Sequence, residues 1–408
     1  MKQTLWPLLL LCAAPVLADT LPPPVLAAQA LLGQPEVLAA GHRINAEHAR
    51  RQQLAAGEHE WTVRAGTQRR RVTPDNTPAS GYSEWNLALE RPWRLPGKAR
   101  TDNALGDSGV SLAETTRGDT LHEAGRLLLK RWFEQLREVT REQQWAAQRE
   151  LLTEAAKAIG RREQLGDAPR IERILAEAAV AQADAQWQLA HQRATDASDS
   201  LKRYYPALGD SQPTLPTSLP PLAGDEASWI AAILEHNHEL TLARGETAHA
   251  RLQATRQQQD RLPDPSIGIQ WSRERGGEEN VVGAYLSVPI PGGARRAMSD
   301  TALALAAAAA SQESAVERRV TAEAAASYRA AIHGRQAWEA TRQAAAQTQE
   351  AARLSTRAYQ LGEGSLGDVL QARRQANEAS LAAQQAQIDA LEAHYRLLLD
   401  THQLWDLD

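Results

Sequence analysis

Cysteine is nearly missing from this chain, the one example being Cys12. It lies in an N-terminal stretch that reads as a secretory leader: Lys2 supplies positive charge, Leu5 to Ala14 are mostly apolar, and Val16-Leu17-Ala18 fits a small-residue cleavage site. Residues 1–18 are therefore expected to be removed. The exported chain then has no disulfide, no thiolate metal site and no cysteine nucleophile. Leu11 stands where a lipoprotein signal needs Gly, Ala or Ser before its cysteine, which argues against lipidation. Long apolar runs are missing too. The longest, Ala302 to Ala310, is mostly alanine and far short of the ~20 residues of a membrane-crossing helix. Nor is there a strong charge excess: 45 basic and 50 acidic residues leave −5, which argues against general nucleic-acid binding. Any membrane contact falls to strands or to an interfacial helix.

What is present is present twice. Leu95-Pro96-Gly97-Lys98-Ala99-Arg100 returns as Ile290-Pro291-Gly292-Gly293-Ala294-Arg295, and Gln164-Leu165-Gly166-Asp167 returns as Gln360-Leu361-Gly362-Glu363. Two unrelated patterns at nearly one offset indicate a duplicated module of roughly 200 residues, too long for a solenoid repeat of ~20–50. The copies are expected at 19–204 and 225–408, joined by a Pro-rich strap at 205–224. Residues 19–35, rich in proline, read as extended.

Each copy has two short stretches with a period of two. Strands are expected near 60–70 and 83–91, then near 266–274 and 281–289. In the first, Trp61, Val63, Ala65 and Thr67 share a face opposite Thr62, Arg64, Gly66 and Gln68. Trp85, Leu87 and Leu89 oppose Glu84, Asn86 and Glu90. Ile267, Ile269 and Trp271 oppose Gly268, Gln270 and Ser272. Val282, Ala284, Leu286 and Val288 form the last apolar face. Helices are expected over about 36–57 and 226–259. Very long ones follow each Pro-Gly, near 100–160 and 295–360, with return helices near 171–204 and 368–405. Sixty helical residues span ~90 Å. In the last helix Leu381, Ile388 and Tyr395 are spaced by seven, as are Gln384, Leu391 and Leu398, a supercoiling repeat. For the helices alone, an ordinary antiparallel coiled coil explains as much.

Strands of 9–11 residues with one apolar face match a tilted bilayer crossing. Four cannot close a barrel, which needs at least ~8, and open edges in lipid leave backbone groups unpaired at several kcal/mol each. Several chains must then combine; three give twelve strands. Arg64, Gln68, Glu84, Asn86 and Gln270 would line a watery lumen. Two soluble hairpins packed on a helical body fit the same alternation.

The Pro-Gly-x-Ala-Arg junctions, the turn from Tyr359 to Leu370, and Leu262-Pro263-Asp264-Pro265 before a strand resemble the TolC family of outer-membrane efflux proteins. The likeness spans nearly all of the exported chain. It implies an α+β membrane protein: a homotrimer in the outer membrane of a Gram-negative bacterium, with a twelve-stranded barrel above a long periplasmic helical tunnel. It also implies a periplasmic adaptor, an inner-membrane pump of the RND type, passive conduction and no cofactor. By the same resemblance the Leu-Gly turns sit at the periplasmic mouth: Gly166, Asp167, Gly362, Glu363, Gly364 and Ser365. Asp368 falls on an acidic gate position, Glu172 is its counterpart in the first copy, Gln371 stands where some members carry a second acid, and Gly364 where some carry a base. Arg170 is the candidate basic partner. Charge placement at a helix N-terminus accounts equally for Glu172 and Asp368. The short length and the Leu-Pro-Asp-Pro motif lean toward the heavy-metal cation branch, with type I secretion and drug-efflux outlets open.

Nothing in the chain reads as catalytic. His236, His238 and His249, with His42 and His48 in the matching helix, lack HExxH and any acidic ligand box. Pro291 to Arg296 lacks the Gly-Lys-Ser/Thr of a phosphate cradle. Arg69-Arg70-Arg71 ends a strand and suits either anionic head groups or open solvent. The competing function is a soluble periplasmic coiled-coil adaptor.

Overall fold

The structure, a computed structural model, describes residues 20–72 and 80–405; the expected leader at 1–18 lies outside the described residues. The chain runs α1 (Pro24–Leu32), α2 (Pro35–Ala56), β1 (Thr62–Val72), β2 (Ser80–Pro92), α3 (Pro96–Gln164), α4 (Arg170–Tyr204), α5 (Glu226–His236), α6 (His238–Gln259), β3 (Ser266–Glu274), β4 (Glu279–Ser287), α7 (Gly293–Gln360) and α8 (Leu366–Asp400). The Pro-rich stretch expected to be extended instead holds a helix over Pro24–Leu32. Pro24 occupies the first turn of α1, where its missing N–H costs nothing, and the Ala and Leu residues behind it favour helix. The helix expected over 226–259 is interrupted at Asn237, whose Oδ1 accepts from the Leu240 N–H at 2.8 Å and so caps a new helix. No helix among the described residues is long and apolar enough to cross a membrane.

Contacts divide the chain into two units, each drawing on both duplicated halves. One contains α1, α4, α5, α8 and the later parts of α3 and α7. Its core sets Leu128, Leu129, Trp132, Phe133 and Leu136 of α3 against Ile388, Leu391, Tyr395 and Leu399 of α8, with Leu201, Tyr205 and Leu31 closing it. Away from this cluster a series of buried positions, mostly alanine, recurs every seven residues: Ala176, Ala183 and Ala190 on α4; Ala324, Ala331, Trp338, Ala345 and Ala352 on α7; Ala376, Ala383, Ala390 and Leu397 on α8. A strict seven-residue repeat drives a left-handed supercoil, and alanine lets the backbones approach closely.

The other unit contains most of α2, the start of α3, α6, the start of α7 and the sheet. The sheet is antiparallel in the order β1-β2-β3-β4. At its base lies a buried charge cluster. Lys98, only 2% exposed, sits 3.0 Å from both Asp260 and Asp264 and donates to the Leu262 carbonyl at 2.7 Å. Asp264, the acid of Leu-Pro-Asp-Pro, also accepts from the Leu95 N–H at 3.2 Å. Asp102 is clasped by Arg256 at 2.5 Å and Arg94 at 3.2 Å. Three cations thus meet three carboxylates, which is what allows a lysine to be buried.

Candidate functional site: two helix turns and a two-faced sheet

The two turns are built alike. Each ends its long helix on a glycine at φ +82°, Gly166 and Gly362. The Gly166 N–H donates to the Glu163 carbonyl and the Asp167 N–H to that of Arg162, at 2.9 and 2.8 Å; Gly362 donates to Tyr359 and Glu363 to Ala358, at 3.1 and 3.0 Å. This pair of bonds is the Schellman arrangement, and its left-handed position suits glycine.

The next helix starts differently in each copy. Ser365 caps α8, and Asp368 completes a capping box: the Ser365 Oγ accepts from the Asp368 N–H at 3.2 Å, and the Asp368 Oδ2 accepts from the Ser365 N–H at 3.3 Å. The matching residue in the first copy is Pro169, which has neither a side-chain acceptor nor a backbone N–H to return the bond. Glu172, the counterpart of Asp368, is therefore free to reach elsewhere. Its Oε2 accepts from the Tyr359 hydroxyl at 2.5 Å. That hydroxyl accepts in turn from Arg162 Nη1 at 3.0 Å, and Arg162 donates through Nε and Nη2 to the Asp167 carboxylate and carbonyl at 2.9 and 3.1 Å. The Tyr359 ring rests on Ile159, Ala176 and Leu366. Burial, then the Glu172 carboxylate, pushes the Tyr359 hydroxyl above its ordinary value, so it stays protonated and donating at neutral pH. The Asp167 bond raises the Arg162 guanidinium.

Arg170, expected as the basic partner, is exposed and pairs with no acid among the described residues; Arg162, one turn before the glycine, pairs with Asp167 instead. Asp368, Glu363 and Gly364 are exposed, and Gln371 accepts from Arg374. Tyr359 and Arg162 are the residues that sequence reasoning missed.

In the sheet, register puts the expected polar set on one face: Gly66 opposes Asn86, Gln68 opposes Glu84, Arg64 opposes Ala88, and Ala88 opposes Gln270. Arg64 binds Glu90 at 2.9 Å, and Glu90 also accepts from the Tyr285 hydroxyl at 2.7 Å. Tyr285 lies so close over Gly268 that a Cβ there would meet its ring at 2.4 Å. Arg70 bridges Glu84 at 3.1 Å and Glu274 at 3.0 Å. Glu84 does not present itself openly, as the lining role expects. It is 1% exposed, because Gln68, Arg70 and the Arg275 N–H all converge on its carboxylate. On the opposite face Val63, Leu87, Ile269, Val282 and Leu286 stand exposed. Trp85 and Trp271 meet edge to face at 4.5 Å toward the far end, and Trp61 and Trp93 stand exposed at the base. Among the described residues, no three His, Cys, Asp or Glu side chains converge in a way that suits a metal ion.

Residues 229–399 match the family described as outer membrane efflux protein. No curated protein matches the chain by sequence. Solved structures match its fold. The Campylobacter jejuni CmeC outer membrane channel is 14% identical, with a TM-score of 0.75 over 94% of this chain and 86% of that one. The Vibrio cholerae outer membrane protein VceC is 18% identical, with 0.72 over 92% and 95%. The open-state Neisseria gonorrhoeae MtrE outer membrane channel is 19% identical, with 0.70 over 94% and 90%. The fold is the one found in outer membrane channels. Residues 229–399 thus match the outer membrane efflux protein family, and nearly the whole chain shares the fold of these outer membrane proteins.

Proposed function

We propose that this protein is the passive exit duct of a tripartite efflux system, with three chains forming one twelve-stranded barrel in the outer membrane. One observation carries the reading. The four-stranded sheet exposes an apolar face, pairs its charges on the other face, and ends on strands β1 and β4 that have no further strand partner among the described residues. Such a sheet survives in lipid only when neighbouring copies pair its edges. The apolar side then meets acyl chains and the polar side meets water.

The helix turns form the periplasmic mouth. There the Glu172–Tyr359–Arg162–Asp167 chain latches the two turns of one subunit together, and the exposed Asp368, Glu363 and Gln371 meet an adaptor that bridges to an energised inner-membrane pump of the RND type. On the sheet's polar face Arg64 and Arg70 meet Glu84, Glu90 and Glu274, which leaves one negative charge per chain. The duct therefore favours cations mildly, in keeping with metal cations as cargo. Detergent-extracted protein run unheated on a denaturing gel is expected to migrate as a trimer, and to give stepwise conductance in planar bilayers. A detergent-free monomer in the soluble periplasm overturns the reading.

A further inference from the structure

We propose a glycerophospholipid site at the base of the sheet's apolar face, with Arg91 holding the lipid phosphate. It rests on the reading of this sheet as a bilayer-embedded surface. A cleft of about 540 Å³ opens there, and its walls include Trp61, Leu89, Arg91, Trp93, Ile267 and Ile269. The register explains why these meet. Arg91 opposes Ile267 and Leu89 opposes Ile269, so a charged residue stands at the foot of an apolar strip that runs through Leu89 and Leu87, while the other arginines of this face, Arg69, Arg71 and Arg273, lie at its far end.

The geometry of Arg91 suits an anion. Its Nε donates to the His59 carbonyl at 2.9 Å, and its guanidinium lies 5.4 Å from the centre of the Trp61 ring. These contacts fix the group, while its two terminal nitrogens meet no acceptor among the described residues. They form the forked donor pair that matches a phosphate. The neighbouring Arg94 is not available. Its terminal nitrogens are committed to the Leu54 and Ala55 carbonyls and to Asp102. Trp61 and Trp93, about 60% exposed, are amphipathic rings of the kind that settle at head-group depth. The occupant is a lipid and not free phosphate, because the cation is continuous with the strip of Leu89, Ile269 and Leu87. One acyl chain extends along that strip into its leaflet, ~15 Å deep.

The test is native mass spectrometry of purified, delipidated trimers titrated with phosphatidylglycerol. Three tightly held lipids per trimer are expected. Arg91→Gln should weaken their retention about tenfold, the loss of roughly one charge-assisted bond. Arg91→Lys, which keeps the charge without the fork, should fall between. Arg100→Gln, on exposed polar surface, should retain lipid like the native chain. Excess inorganic phosphate should leave the lipid in place. Retention by Arg91→Gln equal to native, or displacement by inorganic phosphate, overturns the site. Conductance of the same Arg91→Gln trimers keeps the two ideas apart: conducting trimers without tight lipid leave the duct reading standing, whereas absence of any trimer rejects that reading itself.

Discussion

Tyr359→Phe removes one oxygen from the latch and little else. The ring keeps its seat on Ile159, Ala176 and Leu366, but the hydroxyl that joins Glu172 at 2.5 Å to Arg162 at 3.0 Å is gone. A hydrogen bond to a charged group is worth ~1.5–3 kcal/mol when well buried. Here Tyr359, Glu172 and Arg162 are half-buried, and water replaces part of what is lost, so about 1 kcal/mol per chain is the appropriate figure. In the proposed trimer three chains act on one mouth, and about 3 kcal/mol then shifts the closed-to-open ratio by roughly two orders of magnitude. In planar bilayers the variant should show longer open dwell times and a larger time-averaged conductance. Glu172→Gln should move the same way by less, and the double variant should add little to Tyr359→Phe, since both changes break one bond. Native dwell times and conductance in Tyr359→Phe would refute the latch.

Three further outcomes are expected. Asp368→Asn should weaken block by multivalent cations while keeping an acceptor for the Ser365 N–H, whereas Ser365→Ala, which loses the cap and about 1 kcal/mol of helix stability, should not; native block in Asp368→Asn removes it from the gate. Lys98→Met should remove the lysine from a half-buried Asp264, while Asp260 keeps Arg256, and destabilise by about 1–3 kcal/mol, read as a lower temperature for dissociation of the gel trimer. Acid should also destabilise the helical unit. Burial pushes His122 and His394 down to about 4, helped by Arg126 and Arg335 respectively, whereas the unfolded chain takes up these protons near 6.5. Stability is therefore full above pH 6.5, falls between 6.5 and 4 by up to about 3 kcal/mol per histidine, and levels off below. Guanidinium midpoints at pH 7, 5.5 and 4, with His122→Gln losing part of the slope, check this.

Much of the fold was legible because its signals are local. A strand with one lipid-like and one watery face alternates within ten residues, and Leu-Gly-acid after a long helix spells out a C-cap whose glycine must be left-handed. What stayed hidden depends on partners far along the chain. Arg162 and Tyr359 lie in different copies of the duplication, and neither carries a mark that says it meets the other. Arg170 looked the better cation only because it is nearer the turn in sequence. Glu84 was placed correctly on the polar face by its parity, but parity says nothing of the Gln68 and Arg70 side chains that fold over it from the next strand. The helix α1 was missed because proline was read as a breaker, when its position at the first turn makes it a starter.

The duplication itself explains how the two turns come to hold two kinds of acid. Pro169 and Ser365 occupy equivalent places, three residues before Glu172 and Asp368. Serine returns a hydrogen bond to the acid and takes one from its amide, which folds Asp368 back onto its own helix. Proline can do neither, so Glu172 projects and finds Tyr359 from the other copy. A single difference in capping chemistry thus turns one of two matched acids into a strut and leaves the other on the exposed rim. Pro169→Ser should undo the division: it offers Glu172 a capping box of its own, worth about 1 kcal/mol, in direct competition with the bond to Tyr359. The two terms are nearly equal, so this variant should open the mouth about as readily as Tyr359→Phe while raising, not lowering, the stability of α4. Tyr359→Phe has no such compensation, and the contrast in helix stability between two variants of similar conductance is what separates a competed latch from a broken one.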